Sequence, residues 1–244
     1  MKYAIFADIH SNLEALEVVL EYYRKEKVGK YFCCGDLVGY GPNPNECIKK
    51  VRELNCIVVA GNHDWASVGL KDIAWFNEYA QAAILWTKEQ LTPENINYLK
   101  SLPPVYQDEN LTLVHGSPRK PIDEYLINLS QARENINLFP TETCFIGHSH
   151  TPFFYQRNLQ EEESYDSFRL KSSLFLPSGT KTIINVGSVG QPRDGNPQSA
   201  CAIYDLGKRE ISLARLSYNI SQVQEKMFKA NLPFHLINRL SFGQ

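Results

Sequence analysis

No run of apolar residues in the 244-residue sequence approaches the roughly 20 residues that a membrane-spanning helix needs. An excess of charge of one sign is also missing. The net charge is −2 at pH 7, which gives no electrostatic reason to expect a nucleic-acid or anionic-membrane partner. The N-terminal stretch MKYAIFADIH has too short an apolar segment, and the wrong cleavage context, for a signal peptide. We therefore expect a cytoplasmic protein.

Cysteine pairs at the CxxC spacing are absent. The six cysteines are scattered, and several lie in apolar, strand-like runs. Buried, reduced thiols are therefore expected, rather than a zinc–thiolate site or a disulfide framework. These residues are Cys33, Cys34, Cys47, Cys56, Cys144 and Cys201.

Internal repeats, low-complexity tracts and clear linkers are absent as well. A chain of 244 residues, 43% of them hydrophobic, can bury one large core. We expect a single domain over residues 1–244, with a helical segment at 72–102 and a surface insert at 157–180 as embellishments. The insert contains the acidic run Glu161–Glu163, which predicts a solvated hairpin or a mobile surface segment.

The first third of the chain alternates strands and helices. Short apolar runs predict the strands, and apolar residues at helical spacing predict the helices. Asn43-Pro44 supplies an N-cap and a first helical residue. Two βαβ units in succession predict parallel strands with right-handed crossovers. The predicted strands are 3–8, 31–36 and 56–61, and the predicted helices are 12–26 and 43–54.

The middle of the chain is predicted to be helical, and the second half is rich in strands. The helices are 72–87, a second that opens at Thr92-Pro93 and ends near Leu102, a short helical region within 119–140, and a closing helix at 219–240 broken at Pro233. Trp75, Phe76 and Trp86 fit the core face of the middle segment, which could also form a pocket wall. The predicted strands are 111–116, 143–149, 153–156, 182–188, 199–206 and 210–217.

Polar residues follow five of the predicted strands, and four of the five segments contain a glycine. In an open α/β sheet, ligand sites gather at the carboxyl ends of the strands. One such pair could arise by chance, but five segments at strand ends are much harder to obtain that way. Five of the six histidines lie in these segments, and His235 alone does not. The segments are Asp8-x-His10, Gly35-Asp36, Gly61-Asn62-His63-Asp64, His115-Gly116 and Gly147-His148-Ser149-His150.

The residue types in these segments are typical of a metal site. On an extended chain, residues two apart point the same way, so Asp8 and His10 can reach one ion. His148 and His150 can do the same, or a turn can divide them between two ions. Imidazole with carboxylate suits Mn, Fe, Zn or Ni better than Ca or Mg.

This series of motifs resembles the calcineurin-like metallophosphoesterase superfamily. GDLVGYGPNPNE (35–46) and NVGSVGQPRD (185–194) are similar to its small bacterial predicted phosphodiesterases. The resemblance runs from about residue 1 to about residue 206, with no departure at a ligand position. It implies an α/β (α+β) sandwich, in which two packed mixed β-sheets are flanked by helices in four layers, with a two-metal site at the strand ends.

The resemblance also implies roles for individual residues. His63 lies over the substrate phosphate, as proton donor to the leaving oxygen or as a positive contact. Asp64 orients His63 or a neighbouring loop. Mn²⁺ is the expected metal, with Fe, Zn or Ni as alternatives. The implied ligands are Asp8, His10 and His150 for one ion, Asn62, His115 and His148 for the other, and Asp36 for both.

The charges of such a site explain an asparagine among its ligands. Two divalent ions clamp a phosphoryl group and generate a bridging hydroxide that attacks phosphorus. The ions, Asp8, Asp36 and one hydroxide leave a net charge of about +1. Asn62 ligates without neutralising that charge, so the site still attracts an anionic ester.

The substrate side is less specified. Arg193 and Arg119 could fork onto a phosphate, and Tyr40 and Tyr125 could stack on a base or belong to the core. The resemblance favours a phosphodiesterase acting on small nucleotide-derived substrates such as cyclic phosphodiesters or dinucleoside polyphosphates. A phosphomonoesterase or protein phosphatase, a non-catalytic metal-binding scaffold and a regulatory nucleotide-binding module remain alternatives. The sequence also leaves open whether the protein forms a homo-oligomer.

Overall fold

The computed structural model describes residues 1–168 and 173–244. Within them, the chain forms two six-stranded β-sheets. The first sheet has the order β3-β2-β1-β11-β12-β9. Its strands are β1 (Lys2–Phe6), β2 (Lys30–Cys33), β3 (Ile57–Val58), β9 (Ser173–Phe175), β11 (Ser199–Asp205) and β12 (Glu210–Leu216).

The second sheet has the order β4-β5-β6-β10-β7-β8. Both sheets are mixed. In the first, β1, β2 and β3 run parallel and β11 is antiparallel to β1; in the second, β6 is parallel to both β5 and β10, and β7 is antiparallel to β10. The strands are β4 (Val105–Gln107), β5 (Thr112–Val114), β6 (Thr143–Ile146), β7 (Phe153–Arg157), β8 (Glu163–Ser167) and β10 (Lys181–Asn185).

Helices flank the two sheets. None of the helices in the described ranges is both long and apolar enough to cross a membrane. Their bounds are α1 (Leu13–Lys25), α2 (Pro44–Glu53), α3 (Asn62–Ser67), α4 (Glu78–Gln90), α5 (Pro93–Ser101), α6 (Leu129–Asn135), α7 (Ile220–Lys229) and α8 (Phe234–Arg239).

Three apolar clusters hold these layers together. One lies between the sheets and includes Phe32 of the first and Phe145 of the second. A second packs α1 and α2 on the first sheet, and a third packs α6 on the second sheet. The predicted sandwich of two mixed sheets flanked by helices is therefore confirmed.

Local hydrogen bonds explain where the elements differ from the prediction. The strand predicted at 56–61 is short because a helix, α3, begins at Asn62. The Asp64 carboxylate accepts the Gly61 N–H at 3.0 Å, and this cap starts the helix. The helix predicted at 72–87 starts only at Glu78, because Asn77 accepts the Ala80 N–H as its N-cap.

The insert at 157–180 joins the two sheets at their edges. The strand predicted at 153–156 is β7, and it pairs antiparallel with β8, which lies within the insert. After it, β9 pairs with β12 of the other sheet. Residues 169–172 of the predicted insert lie outside the described residues. The closing helix is broken at Pro233 as predicted, into α7 and α8.

Candidate metal centre and active site

The five sequence motifs meet at one place between the two sheets. Asp8 follows β1, Asp36 follows β2, and Asn62 opens α3 after β3. His115 follows β5 and His148 follows β6, so the second sheet supplies the other side of the site. All of the predicted ligands are buried.

The backbone at this meeting point is unusual. Five of the seven predicted ligands have a left-handed backbone, which costs a residue other than glycine about 1 kcal/mol. Strain of this kind clusters at functional sites, because the surrounding fold holds it. The φ angles are 54° at Asp8, 49° at His10, 55° at Asp36, 66° at His148 and 59° at His150.

The side chains form two groups that share one carboxylate. In each group, the candidate ligand atoms lie within 4.8 Å of one another. Asn62 joins the second group, since its Oδ1 is 3.0 Å from His115 Nε2. The structure thus brings all seven predicted ligands together. The first group is Asp8, His10, Asp36 and His150, and the second is Asp36, His115 and His148.

Main-chain carbonyl groups fix which ring nitrogen of each histidine points inward. Nδ1 of His10, His115 and His150 donates to the carbonyl oxygens of Val38, Cys34 and Gln191 at 3.1, 2.8 and 2.6 Å. The inward Nε2 atoms of these three therefore carry lone pairs.

His148 is turned the other way. Its Nε2 lies 3.3 Å from the Asp123 carbonyl oxygen, which leaves Nδ1 facing the cluster. All four imidazoles thus present an unprotonated nitrogen to the same space when they are neutral.

This arrangement fits a pair of bound cations. His10 Nε2 and His150 Nε2 lie 3.0 Å apart, and so do His115 Nε2 and His148 Nδ1. Lone pairs at that distance repel unless a cation or proton lies between them. The buried Asp36 Oδ2 has no hydrogen-bond partner in the described part of the chain. Imidazole, carboxylate and amide ligands suit divalent transition metals.

Burial and mutual charge shift the pKa values of the side chains in this cluster. Burial raises the pKa of Asp8 to about 8 and lowers the pKa of His10, His148 and His150. Burial opposes ionisation of Asp36, but His115 and His63 outweigh it and lower its pKa. His115 is buried too, yet Asp36 at 3.3 Å raises its pKa to about 9.

His63 lies beside the cluster but outside both groups. Its ring contacts Tyr40, His10 and Phe76, with centroids 4.4, 4.9 and 5.1 Å away. Burial, with a further contribution from Arg193, lowers its pKa to about 4. Its buried Nδ1 has no hydrogen-bond partner among the described residues and lies against Gly39, so the edge that carries Nε2 is the one that can face the cavity.

Gly39 makes the His63 position possible. Its φ is +93°, and a Cβ atom there would lie 2.6 Å from His63 Nδ1. Only glycine fits so close to the ring with that backbone conformation. Gly39 was not singled out in the sequence, although its place in GDLVGYGP was the available signal.

Asp64 acts on the backbone. Its carboxylate accepts the N–H groups of Asp36 at 2.8 Å, Gly61 at 3.0 Å and Val38 at 3.2 Å. Burial raises its pKa to about 7. Of the two roles considered for Asp64, the contacts match fastening of the neighbouring loop, and the fastened loop carries Asp36.

A cavity of about 520 Å³ opens over His63, Asn62 and His148. Tyr40, Tyr125 and Arg193 line it. The Tyr125 ring stacks on His148, with centroids 3.8 Å apart. Arg193 donates to Gln191 Oε1 at 2.9 Å and to the Tyr40 hydroxyl at 3.4 Å.

Arg119 does not reach this cavity. Its exposed guanidinium pairs with Glu124 and, at 2.7 Å, with Glu134. The two carboxylates neutralise its charge on the outer surface. The structure therefore does not place Arg119 beside the other candidate substrate-binding residues, Arg193, Tyr40 and Tyr125.

Several cavity residues were missed in the sequence. Trp75 was expected in the core, and this was wrong: its side chain is 89% exposed and lies at the cavity. A short 3₁₀ turn at Ile73–Trp75 replaces the predicted helix and turns it outward. Phe76 and Trp86 are half-buried against a core cluster, as expected. Arg239 and Lys71 also line the cavity, and no sequence motif marks them.

Two comparisons of the whole sequence point the same way. The sequence model described as "Calcineurin-like phosphoesterase superfamily domain" matches residues 1–209. The Uncharacterized protein MJ0912 of Methanocaldococcus jannaschii is 39% identical over 246 residues, which cover 99% of this chain and 98% of that protein.

Solved structures agree. The crystal structure of a metallophosphoesterase from Sphaerobacter thermophilus is 40% identical, with a TM-score of 0.89 over 100% of this chain and 99% of that one. The hypothetical protein PH1004 from Pyrococcus horikoshii is 21% identical, with a TM-score of 0.77 over 100% and 98% of the two chains, and shares the fold. With the motifs at the strand ends, these matches establish that the chain belongs to the calcineurin-like phosphoesterase superfamily.

Proposed function

We propose that this protein is a two-metal-dependent phosphodiesterase acting on small nucleotide-derived substrates, either cyclic phosphodiesters or dinucleoside polyphosphates. The observation that carries the proposal is the single buried carboxylate, Asp36, shared by two groups of convergent ligands beneath an open cavity. A shared carboxylate is what two neighbouring ions require.

The chain's own residues prepare the site. When bound, two divalent ions neutralise phosphoryl charge and lower the pKa of an attacking water. Asp8, His10 and His150 would hold one, and Asn62, His115 and His148 the other, with Asp36 between them. Main-chain carbonyls hold the four imidazoles in the metal-binding tautomer, so little reorganisation is needed on loading.

His63 is the proposed proton donor to the leaving oxygen. Without substrate its pKa is about 4, so the imidazole is neutral near pH 7. An anionic phosphate placed beside it favours the charged form and raises that pKa. His63 can then give a proton to the oxygen that departs. Arg193 lines the same cavity and would bind the substrate through a phosphate oxygen.

The cavity supports a diester over a simple monoester. Its volume of about 520 Å³ lies in the range of sites for drug-sized ligands. Tyr125 and Trp75 give its walls aromatic surface, which suits the organic groups on both sides of a diester.

The test is hydrolysis of bis(4-nitrophenyl) phosphate beside 4-nitrophenyl phosphate, on metal-stripped protein refilled with Mn²⁺. We expect faster diester cleavage, loss of activity with chelator, and loss in Asp36→Asn. The matched control is Asp166→Asn, an exposed aspartate on β8.

Three results would count against the proposal. Faster cleavage of the monoester would identify a phosphomonoesterase. Activity that survives removal of all metal would exclude the two-ion mechanism. Two bound ions with no turnover of either ester, or of a panel of cyclic nucleotides and dinucleoside polyphosphates, would point to a scaffold or a nucleotide sensor.

A further inference from the structure

Two arginines stand apart from the other arginines that the structure describes. Arg193 and Arg239 have no aspartate or glutamate partner among residues 1–168 and 173–244, and both line the cavity above the candidate metal centre. The remaining described arginines each form an ion pair with a carboxylate. These are Arg24, Arg52, Arg119, Arg133, Arg157, Arg209 and Arg215.

Arg239 reaches the cavity through packing of the C-terminal helices. It is the last residue of α8, beyond residue 209, where the superfamily match ends. Leu236 and Leu240 share an apolar cluster with Tyr40 and with Ala80 of α4. This cluster places the end of α8 beside the wall that α4 contributes.

The C-terminal segment is also fastened to the loop that carries Arg193. The Gly195 N–H donates to the Gly243 carbonyl oxygen at 2.9 Å. Gly243 has a φ of +63°, and a Cβ atom there would lie 2.6 Å from the main-chain carbon of Asn196. The two arginines therefore lie on segments that are hydrogen-bonded and closely packed against each other.

The two guanidinium groups carry like charges, which repel each other. Burial, together with the charge of Arg193, lowers the pKa of Arg239 to about 10. Arg239 Nε donates to the main-chain oxygen of Gln244, and the buried Arg193 Nε has no partner among the described residues. Lys71 does not compete for an anion, because Asp123 pairs with it at 2.5 Å.

We propose that Arg239, together with Arg193, forms a subsite for a second phosphate group of the substrate. This rests on the proposed phosphodiesterase function and narrows its substrates to phosphoesters that bear a further phosphate beyond the one cleaved. Tyr40 lies between the proposed site of cleavage at His63 and the proposed second-phosphate site at Arg193. Its ring centroid is 4.4 Å from that of His63, and its hydroxyl accepts a hydrogen bond from Arg193 at 3.4 Å. The guanidinium forks match phosphate oxygens in shape and charge.

A matched pair of esters tests the subsite on the Mn²⁺-loaded protein. Thymidine 5′-(4-nitrophenyl phosphate) and its 3′-phosphorylated form carry the same diester and differ only in the second phosphate. We expect kcat/KM to favour the 3′-phosphorylated ester about tenfold or more, mainly through KM, as for hydrogen bonds to a charged group. In Arg239→Gln the ratio falls towards one.

Two further variants separate the subsite from general effects. Arg239→Lys keeps the positive charge but lacks the bidentate guanidinium. The kcat/KM ratio of the two esters should therefore lie between those of Arg239→Gln and the unmodified protein. Lys229→Gln removes one positive charge from the neighbouring α7, where Lys229 pairs with Glu225, and should leave the ratio unchanged. A ratio near one in the unmodified protein, or an unchanged ratio in Arg239→Gln, would overturn the proposal.

Binding measurements keep this test independent of turnover. If neither ester is cleaved, the proposed function fails, but the ratio of the two dissociation constants from isothermal titration calorimetry still tests Arg239. A tenfold preference that Arg239→Gln abolishes would then establish a second-phosphate site on a non-hydrolysing protein. Equal dissociation constants would reject it.

Discussion

His63 combines a buried imidazole with a ring nitrogen that the described protein atoms leave without a partner. Its neighbours are aromatic rings, a glycine backbone and the Asp36 carboxylate, which accepts the His63 main-chain N–H at 2.9 Å. The fold therefore holds this side chain in place through its backbone and its faces. Because Nδ1 lies against Gly39, Nε2 is the ring nitrogen left for the proposed proton transfer.

Replacing His63 with Gln tests its proposed role as proton donor. We expect kcat to fall by about 10²–10⁴-fold for a substrate with a poor alkoxide leaving group. The loss should be much smaller for bis(4-nitrophenyl) phosphate, whose nitrophenolate leaves without a proton. Metal content, measured by mass spectrometry, should stay at the unmodified level. Equal losses on both substrates would indicate a phosphate contact instead.

Asn62→Asp tests the charge argument for a neutral ligand. An added carboxylate should hold the metal more tightly, yet weaken the pull on an anionic ester. We expect a lower metal dissociation constant and a kcat/KM reduced by about tenfold or more, since one charge at close range is worth over 1 kcal/mol. Tighter metal with undiminished kcat/KM would contradict the charge argument. The matched control is Asn158→Asp in the β7–β8 turn, which should alter neither value.

At the scale of elements, the connection from β5 to α6 shows how a surface network supports a buried ligand. Glu124 accepts hydrogen bonds from Arg119, Ser117 and Asn135. The same connection contributes the Asp123 carbonyl oxygen that faces His148 Nε2. Arg119, which the sequence left open as a phosphate contact, thus belongs to a surface network beside the candidate metal centre.

Glu124→Gln should make stability depend less on pH. The hydrogen bond from Arg119 lowers the pKa of Glu124 below its unfolded value of about 4.3. Its stabilisation is therefore present above that value and is lost as the pH falls through the folded-state pKa. We expect Glu124→Gln to cost about 1–2 kcal/mol at pH 7.

Urea unfolding of the metal-free protein at several pH values measures this effect. The difference between Glu124→Gln and the unmodified protein should shrink as the pH falls from 5 towards 3. Glu109→Gln, at an exposed position, should show no such trend. A constant difference at all pH values would mean that packing, not charge, is what Glu124 supplies.

At the scale of the whole molecule, the candidate metal centre joins the two sheets. Asp8, Asp36 and Asn62 follow strands of the first sheet, while His115 and His148 follow strands of the second. The sheets come close here, since a Cβ atom at Gly147 would lie 2.8 Å from Asp8 Oδ2. Bound ions would therefore stabilise the packing of one sheet on the other.

Metal removal should lower the melting temperature accordingly. Occupancy of one site at 100 times its dissociation constant contributes about 2.7 kcal/mol. For a domain of this size that corresponds to about 5–10 °C. We expect calorimetry to show this shift on adding Mn²⁺, and Ca²⁺ at the same concentration to do much less. A melting temperature indifferent to Mn²⁺, or raised equally by both ions, would contradict a transition-metal centre.

The sequence by itself indicated most of the strands and, through its resemblance to the superfamily, the sandwich of two sheets and the seven candidate ligands. Each signal was local: an apolar run makes a strand, and the polar residues that follow it must come out at the strand's end. Because parallel strands end at a common edge, motifs far apart in the chain could be placed together without coordinates. The positions of β1, β2 and α1 and the break at Pro233 follow from equally local patterns.

Only the tertiary structure decided which side chains face the cavity. Arg119 and Arg193 follow similar motifs, but Arg119 pairs with Glu124 and with Glu134 of α6, whereas Arg193 pairs with no carboxylate among the described residues. Trp75 is exposed because a 3₁₀ turn takes the place of the predicted helix. Arg239 lies at the cavity because α8 packs against Tyr40 and α4. Whether a side chain lines the cavity depends on charges and packing partners that are distant in the chain. A pattern of neighbouring residues carries no information about them.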